Sequence, residues 1–112
     1  MAINQKLNDD VRQLHAQVCG ALADPIRILI LYMLSENPRS VGDIVKELDL
    51  SQPTVSRHLR VLRTHNLVTA TREGVNVFYA LNDRRVIDAL DILRAVMTDQ
   101  FTRQANLMNQ AN

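Results

Sequence analysis

The stretch Leu50 to Arg63, LSQPTVSRHLRVLR, restricts what this chain can fold into more than any other part of it. Ser51 is suited to cap a helix N-terminus, and Pro53 falls in the first turn, where its missing N–H is tolerated. Val55, Leu59 and Leu62 then recur at steps of four and three, giving one apolar stripe for a core. The opposite side carries Gln52, Thr54, Ser56, Arg57, His58 and Arg60, all with hydrogen-bonding side chains. A short helix with one apolar edge and one edge of donors suits the major groove of DNA.

The residues just before it supply a partner helix. Ser40-Val41-Gly42-Asp43 resembles a capping box, with Asp where Glu or Gln is usual. It opens a short helix that turns Val41, Ile44, Val45 and Leu48 inward. Asp49-Leu50 is a tight link, and Asp tolerates the left-handed conformation such a turn needs. Two short helices joined this way form a helix-turn-helix, with Leu50 to Arg63 as its reader. His65-Asn66 closes the reader. Leu67 to Arg72 and Val75 to Leu81, rich in β-branched and aromatic residues, flank Glu73-Gly74 and read as a β-hairpin. Gly74 supplies the positive φ the tip requires. A hairpin directly after a reader helix is a wing; the alternative is a structural hairpin that only covers the core.

The two ends of the chain are helical by spacing. Leu7, Val11, Leu14, Val18 and Ala21 predict an amphipathic helix over 7–22, with Asp9 and Asp10 near its start suiting the helix dipole. Asp24 then caps a second helix with Pro25 at its first position. Ile28 to Leu34 is an unbroken apolar run, which predicts burial nearly all round, and Glu36-Asn37-Pro38 ends it. Asn82 or Asp83 caps the last helix, where Val86, Leu90, Leu93, Met97 and Phe101 form one apolar row and Ala89, Ile92 and Val96 a second. Both terminal helices hold more apolar surface than one small core needs. The expectation is a homodimer in which they pair with their copies across a two-fold axis, against the alternative that they pack within their own chain. The Gln- and Asn-rich tail, residues 104–112, is expected to fray. Residues 1–112 thus read as a single domain, mainly α with a small β-hairpin. Its order α-α-α-α-β-β-α is that of a winged helix-turn-helix dimerising through its terminal helices.

Composition sets the outer bounds. A hydrophobic fraction of 46% is that of an ordinary globular domain. No apolar run approaches the ~18 residues of a membrane span, and MAINQKLNDDVRQ lacks the apolar core of a secretory signal, so the chain reads as cytoplasmic with no membrane partner. Net charge is only +1, but its distribution is uneven. Residues 51–85 hold six arginines against Glu73 and Asp83, while the remainder holds seven basic and ten acidic residues. A local basic surface on a near-neutral body is the footprint of phosphate contact; the bland alternative is a solvated charged face.

Three motifs in order carry a family resemblance: Ala21-Leu22-Ala23-Asp24-Pro25-Ile26-Arg27, then Leu50 to Leu59 with Leu62-Arg63, then the hairpin Val68 to Tyr79 with Arg72, Glu73 and Gly74. Over roughly residues 10–100 the chain resembles the ArsR/SmtB family of winged-helix repressors. That resemblance implies a homodimeric repressor that leaves its operator when an effector binds. The effector sites known in the family are not matched. Where its arsenic- and cadmium-type site has two cysteines, this chain has Ser40 and Gly42. At the zinc-type positions of the last helix stand Asp83, Arg85, Val96 and Asp99, without an imidazole, and two separated carboxylates make a poor zinc site. The second-helix cysteine of the dithiol sensors is replaced by Tyr32, and the last helix contains no cysteine. No metal or cofactor is therefore assigned, and a small effector is left open.

Residue by residue, Arg57 and His58 are the leading base-edge candidates, since an Arg fork grips G O6 and N7. Gln52 and Ser56 are placed to reach bases, Thr54 a base or a phosphate, and Ser51 and Gly74 complete the contact surface of reader and wing. Arg60, Arg63, Arg72 and Asn76 suit phosphates. The partner is thus double-stranded DNA with a palindromic operator. Cys19, the single cysteine, is either a small buried apolar residue or a redox or electrophile sensor. His15, His58 and His65 share no metal-ligand spacing. No nucleophile–base–acid arrangement or phosphate-cradling glycine loop is recognisable, so no enzyme is expected. A competing class, a winged-helix protein–protein module, calls for aromatics and Met around the reader helix, where this chain has arginines.

Overall fold

A computed structural model describes residues 2–110. Helix α1 (Gln5–Leu14) starts at Asn4, whose side chain accepts from the Leu7 N–H at 2.7 Å. Asp9 and Asp10 consequently lie beyond its first turn rather than at its start. Nor does α1 run on as one helix to residue 22: it passes into a π-helical turn (His15–Cys19), with Gly20 N–H donating to His15 O. One extra residue per turn there breaks the four-three spacing. Helix α2 (Pro25–Glu36) is capped by Asp24, which accepts from Ile26 N–H at 2.8 Å, with Pro25 opening it as expected.

Strand β1 (Arg39–Ser40) is an element the sequence did not announce. Helix α3 (Val41–Leu48) follows, its capping box complete because Ser40 Oγ accepts from Asp43 N–H and the Asp43 carboxylate accepts from Ser40 N–H. Asp49 has φ 53°, the left-handed turn its position called for. Helix α4 (Gln52–Thr64) is the reader. Strands β2 (Val68–Glu73) and β3 (Asn76–Leu81) form the hairpin, and α5 (Arg85–Gln110) completes the chain. The sheet is antiparallel in the order β1-β3-β2, with Glu73 opposite Asn76. Its tip is therefore Gly74-Val75, one residue later than the sequence suggested. Gly74 has φ 63° at the first central position and Val75 has none of the left-handed φ, the pattern of a II′ turn. Arg39 opposite Tyr79 and Ser40 opposite Phe78 add the third strand, so the wing is anchored at its base to the start of α3.

The core gathers Ile30, Leu31, Met33 and Leu34 of α2, Ile44 of α3, Val55, Leu59 and Leu62 of α4, Leu67 and Val68, and Ile87 and Leu90 of α5. Burial of each large aliphatic side chain contributes about 1.5–3 kcal/mol. Leu29 is the exception within the apolar run of α2, being half exposed. Asp83, not Asn82, holds the head of α5, accepting from Arg85 N–H at 2.9 Å. Asn82 instead donates to Asn66 O at 2.8 Å, tying the end of the hairpin to the end of α4. Helix α5 includes the segment from 104 expected to fray as far as Gln110, where Ala105, Leu107 and Met108 are good helix formers; residues 111 and 112 lie outside the described part.

Beyond the core the chain is extended. Its radius of gyration is 17.9 Å, with extents of 60 × 44 × 21 Å, where a compact chain of this length has about 13 Å. The excess comes from the two ends. No residue of α1 is buried, and α5 is buried only at Ile87 and Leu90. The terminal helices do not cover one another's apolar rows.

Candidate nucleic-acid interface

The pose of α4 follows from its inner stripe. Val55, Leu59 and Leu62 have no exposed surface and fix the helix against α2, α3 and β2. Its first turn is closed by Ser51, whose Oγ accepts from Thr54 N–H and lies 2.8 Å from Thr54 Oγ1. Such a cap is worth about 1 kcal/mol. Outward, Gln52, Arg57, Arg60 and Arg63 are exposed, and Ser56 and Thr54 partly so. At the other end, Asn66 takes φ 61° and Leu67 N–H donates to Leu62 O, which turns the chain directly into β2. The wing then presents Arg72, Gly74 and Asn76, all exposed, next to the reader. Gln52 and Asn76 share a concavity with Ser40, Gly42 and Val75 between the starts of α3 and α4 and the hairpin tip.

The arginines differ in what holds them. Arg27 pairs with Asp24, Arg39 with Glu36 and Glu47, Arg85 with Asp83, and Arg94 with Asp91. Arg12 donates to Asn8, and Arg84 to Ser35 O. By contrast, Arg57, Arg60, Arg63 and Arg72 have no ion-pair partner among the described residues, and away from this surface the same holds only of Arg103, far along α5, and of Arg12 and Arg84, which are hydrogen-bonded instead. Four uncompensated guanidiniums on one reader-and-wing surface hold charge ready for phosphates and base edges. Arg84 and Arg85, counted in the basic segment, are engaged elsewhere and do not belong to it.

Two expectations are corrected here. His58 is not a base-edge residue: it is only 8% exposed, and its Nδ1 sits 3.4 Å from Arg27 Nη1. The reason was visible in the spacing, since 55, 58, 59 and 62 complete the i, i+3, i+4, i+7 set of an inward face. Cys19 is not buried by its own chain; it is exposed at the end of the π-helical turn. Among the described residues no group of three His, Cys, Asp or Glu side chains is placed to share a metal ion.

A polar junction that the sequence did not suggest joins α2 to α5. Tyr32 Oη donates to Asp91 at 2.7 Å, with the Arg94 guanidinium 5.2 Å from the ring centroid. Partial burial and the Asp91 carboxylate raise the phenol above its ordinary pKa. At the head of α5 the Arg85 side chain grips Asp83, which with the Arg85 N–H holds that carboxyl down at about 2.

Residues 24–70 match the family model described as bacterial regulatory protein, arsR family. The HTH-type transcriptional repressor SmtB of Mycobacterium tuberculosis is 42% identical over 78 residues, 66% of this chain and 58% of that protein. The chain thus spans little more than half the length of that repressor. The transcriptional activator HlyU of Vibrio cholerae is 40% identical over 73 residues, 65% of this chain and 68% of that protein. The structure of reduced HlyU superposes with a TM-score of 0.73 at 32% identity, covering 83% of this chain and 97% of that one. A homodimeric winged helix-turn-helix DNA-binding domain from Mycobacterium bovis gives a TM-score of 0.74 at 27% identity, covering 90% and 94%. No helix among the described residues is long and apolar enough to cross a membrane. A winged helix-turn-helix with its charge concentrated on reader and wing, matched by these relatives, belongs to the ArsR family of DNA-binding transcriptional regulators.

Proposed function

We propose that the chain is a cytoplasmic homodimeric repressor that grips an operator of two-fold symmetry. The observation that carries this reading is the set of four unpaired arginines on α4 and β2, beside terminal helices whose apolar rows are left open. Leu7, Val11 and Leu14 of α1, and Ile92, Leu93, Val96, Met97 and Phe101 of α5, are all about half exposed or more. A second copy laid along both helices removes that surface from water, and the Mycobacterium bovis domain, itself homodimeric, supports a two-copy assembly. Two reader helices then enter successive major grooves with centres about 34–36 Å apart. Arg57 reads a base, with Gln52 and Ser56 beside it and Thr54 at a base or phosphate. Arg60, Arg63, Arg72 and Asn76 hold backbone, with Ser51 and Gly74 in the same contact surface.

The test uses a duplex selected from a random-sequence library by the wild-type chain and titrated at fixed salt. Wild type shifts it with a steep salt dependence, and transcription from a reporter carrying the site falls. A duplex bound without salt dependence, or a reporter that rises, would refute the repressor reading. The residues standing at the family's metal and dithiol positions, Ser40, Gly42, Tyr32, Asp83, Arg85, Val96 and Asp99, supply neither thiolate nor imidazole, so release relies on another effector. The exposed thiol of Cys19 makes a thiol-responsive repressor the second reading. A Cys19→Ser chain that still releases DNA on oxidation would eliminate it.

A further inference from the structure

One side chain spans the gap between the N-terminal arm and the reader helix. Arg27, on the first turn of α2, has only 15% of its side chain exposed. Its Nε donates to Ala21 O at 2.6 Å and its Nη2 to Gly20 O at 3.4 Å. Its Nη1 lies 3.4 Å from His58 Nδ1 and 3.9 Å from the Asp24 carboxylate. Gly20 and Ala21 are where the chain leaves α1 and the π-helical turn, and His58 belongs to α4. The planar fork of a guanidinium can serve these three directions at once, which a lysine ammonium on its flexible stem does not reproduce. Because Nη1 can only donate, Nδ1 is the acceptor in this contact. His58 is the one buried polar side chain among the described residues, and this bond is what it is buried against.

We infer that Arg27 and His58 are positioning residues for DNA recognition: together they set the orientation of the reader helix relative to the arm that carries the dimer contacts. Neither touches DNA. Packing of Val55, Leu59 and Leu62 holds α4 to the core, and the directional contact from the part-buried Arg27 guanidinium adds an angular constraint that apolar packing alone does not supply. In a dimer joined through α1 and α5, a rotation of each reader relative to its arm changes the separation of the two readers. The pair therefore governs which half-site spacing the dimer accepts, an inference that rests on the dimeric reading above.

The experiment measures binding of the full chain to the selected duplex and to versions lengthened or shortened by one base pair between half-sites, by fluorescence anisotropy. Wild type discriminates between these spacings. Arg27→Gln and His58→Leu lose about tenfold of that discrimination, the size of a typical coupling between sites. Their salt dependence stays that of wild type, because no phosphate contact is removed. His58→Gln, which offers an amide oxygen as acceptor, restores most of the discrimination; His58→Leu keeps an apolar side chain in the core and serves even where Arg27→Gln does not fold. Full wild-type discrimination in His58→Leu overturns the inference, as does a His58→Gln chain no better than His58→Leu. A wild-type chain indifferent to spacing overturns the dimeric reading itself, and this inference with it.

Discussion

The middle of this molecule and its two ends are built from the same kinds of residue and end in opposite states. In α4, Leu59 and Leu62 are fully buried, and Ser51 accepts from the Thr54 N–H and lies against the Thr54 hydroxyl at the first turn. In α5, Leu93 is 62% and Phe101 65% exposed, although they recur at the same helical spacing. Hydrophobic periodicity therefore marks a face that must be covered, and says nothing of whether the cover belongs to the same chain. The centre is finished by intramolecular contacts; the ends are left open within one chain. In the dimer proposed above, a shift of the ends would change the relation of the two readers without disturbing either one.

Substitutions at equivalent residues in the two regions sharpen the contrast. Leu59→Ala leaves a cavity in the core and lowers stability by about 2–5 kcal/mol in urea unfolding extrapolated to high protein concentration. Leu93→Ala, made on surface that is open in the single chain, shifts the unfolding midpoint by an amount that shrinks toward zero as the protein is diluted. A Leu93→Ala midpoint with no concentration dependence would break the comparison. Next in size, Arg57→Ala weakens binding to the selected duplex by about 1–3 kcal/mol and relaxes the preference at one base pair, as a titration against single-base variants reads out. Arg72→Ala weakens all sequences alike and lowers the slope of log affinity against log salt by about 1. Equal behaviour of these two variants would erase the division between reader and wing.

Caps and exposed ion pairs come last. Ser40→Ala removes the acceptor for Asp43 N–H and costs about 1 kcal/mol, measured by thermal or urea unfolding. At Asp83 the folded pKa, about 2, lies below the ordinary 3.8, so the Arg85 contact adds stability above that ordinary value and loses it as the pH falls toward 2. The group is open to solvent, so the effect is small. An NMR titration of the Asp83 carboxyl locates its midpoint, and a midpoint near 3.8 would show that the contact does not persist in solution.

Much of the reader was legible because local chemistry decides it. Ser51 and Ser40 are caps wherever they precede such helices, Asp49 accepts a left-handed φ, and Val55, Leu59 and Leu62 have one side to share. What escaped was set by tertiary neighbours. Arg39–Ser40 becomes a strand because β3 passes beside it, an event two residues cannot announce. His58 lies on the inward face by spacing, yet only the guanidinium of Arg27, on another helix, makes burial of an imidazole tolerable. The π-helical turn at His15–Cys19 has no composition of its own. Cys19 is exposed because the arm it ends is left uncovered within one chain.

Sedimentation velocity of the full chain with the selected duplex, counting chains per duplex, bears most directly on the claim that two copies held by their terminal helices read one operator. The account predicts a free protein of twice the 12.7 kDa chain mass and two chains on each duplex. It also predicts that Leu93→Asp sediments as a single chain and loses the shift. A free chain of 12.7 kDa that saturates the duplex one to one, with Leu93→Asp binding as wild type does, would contradict it.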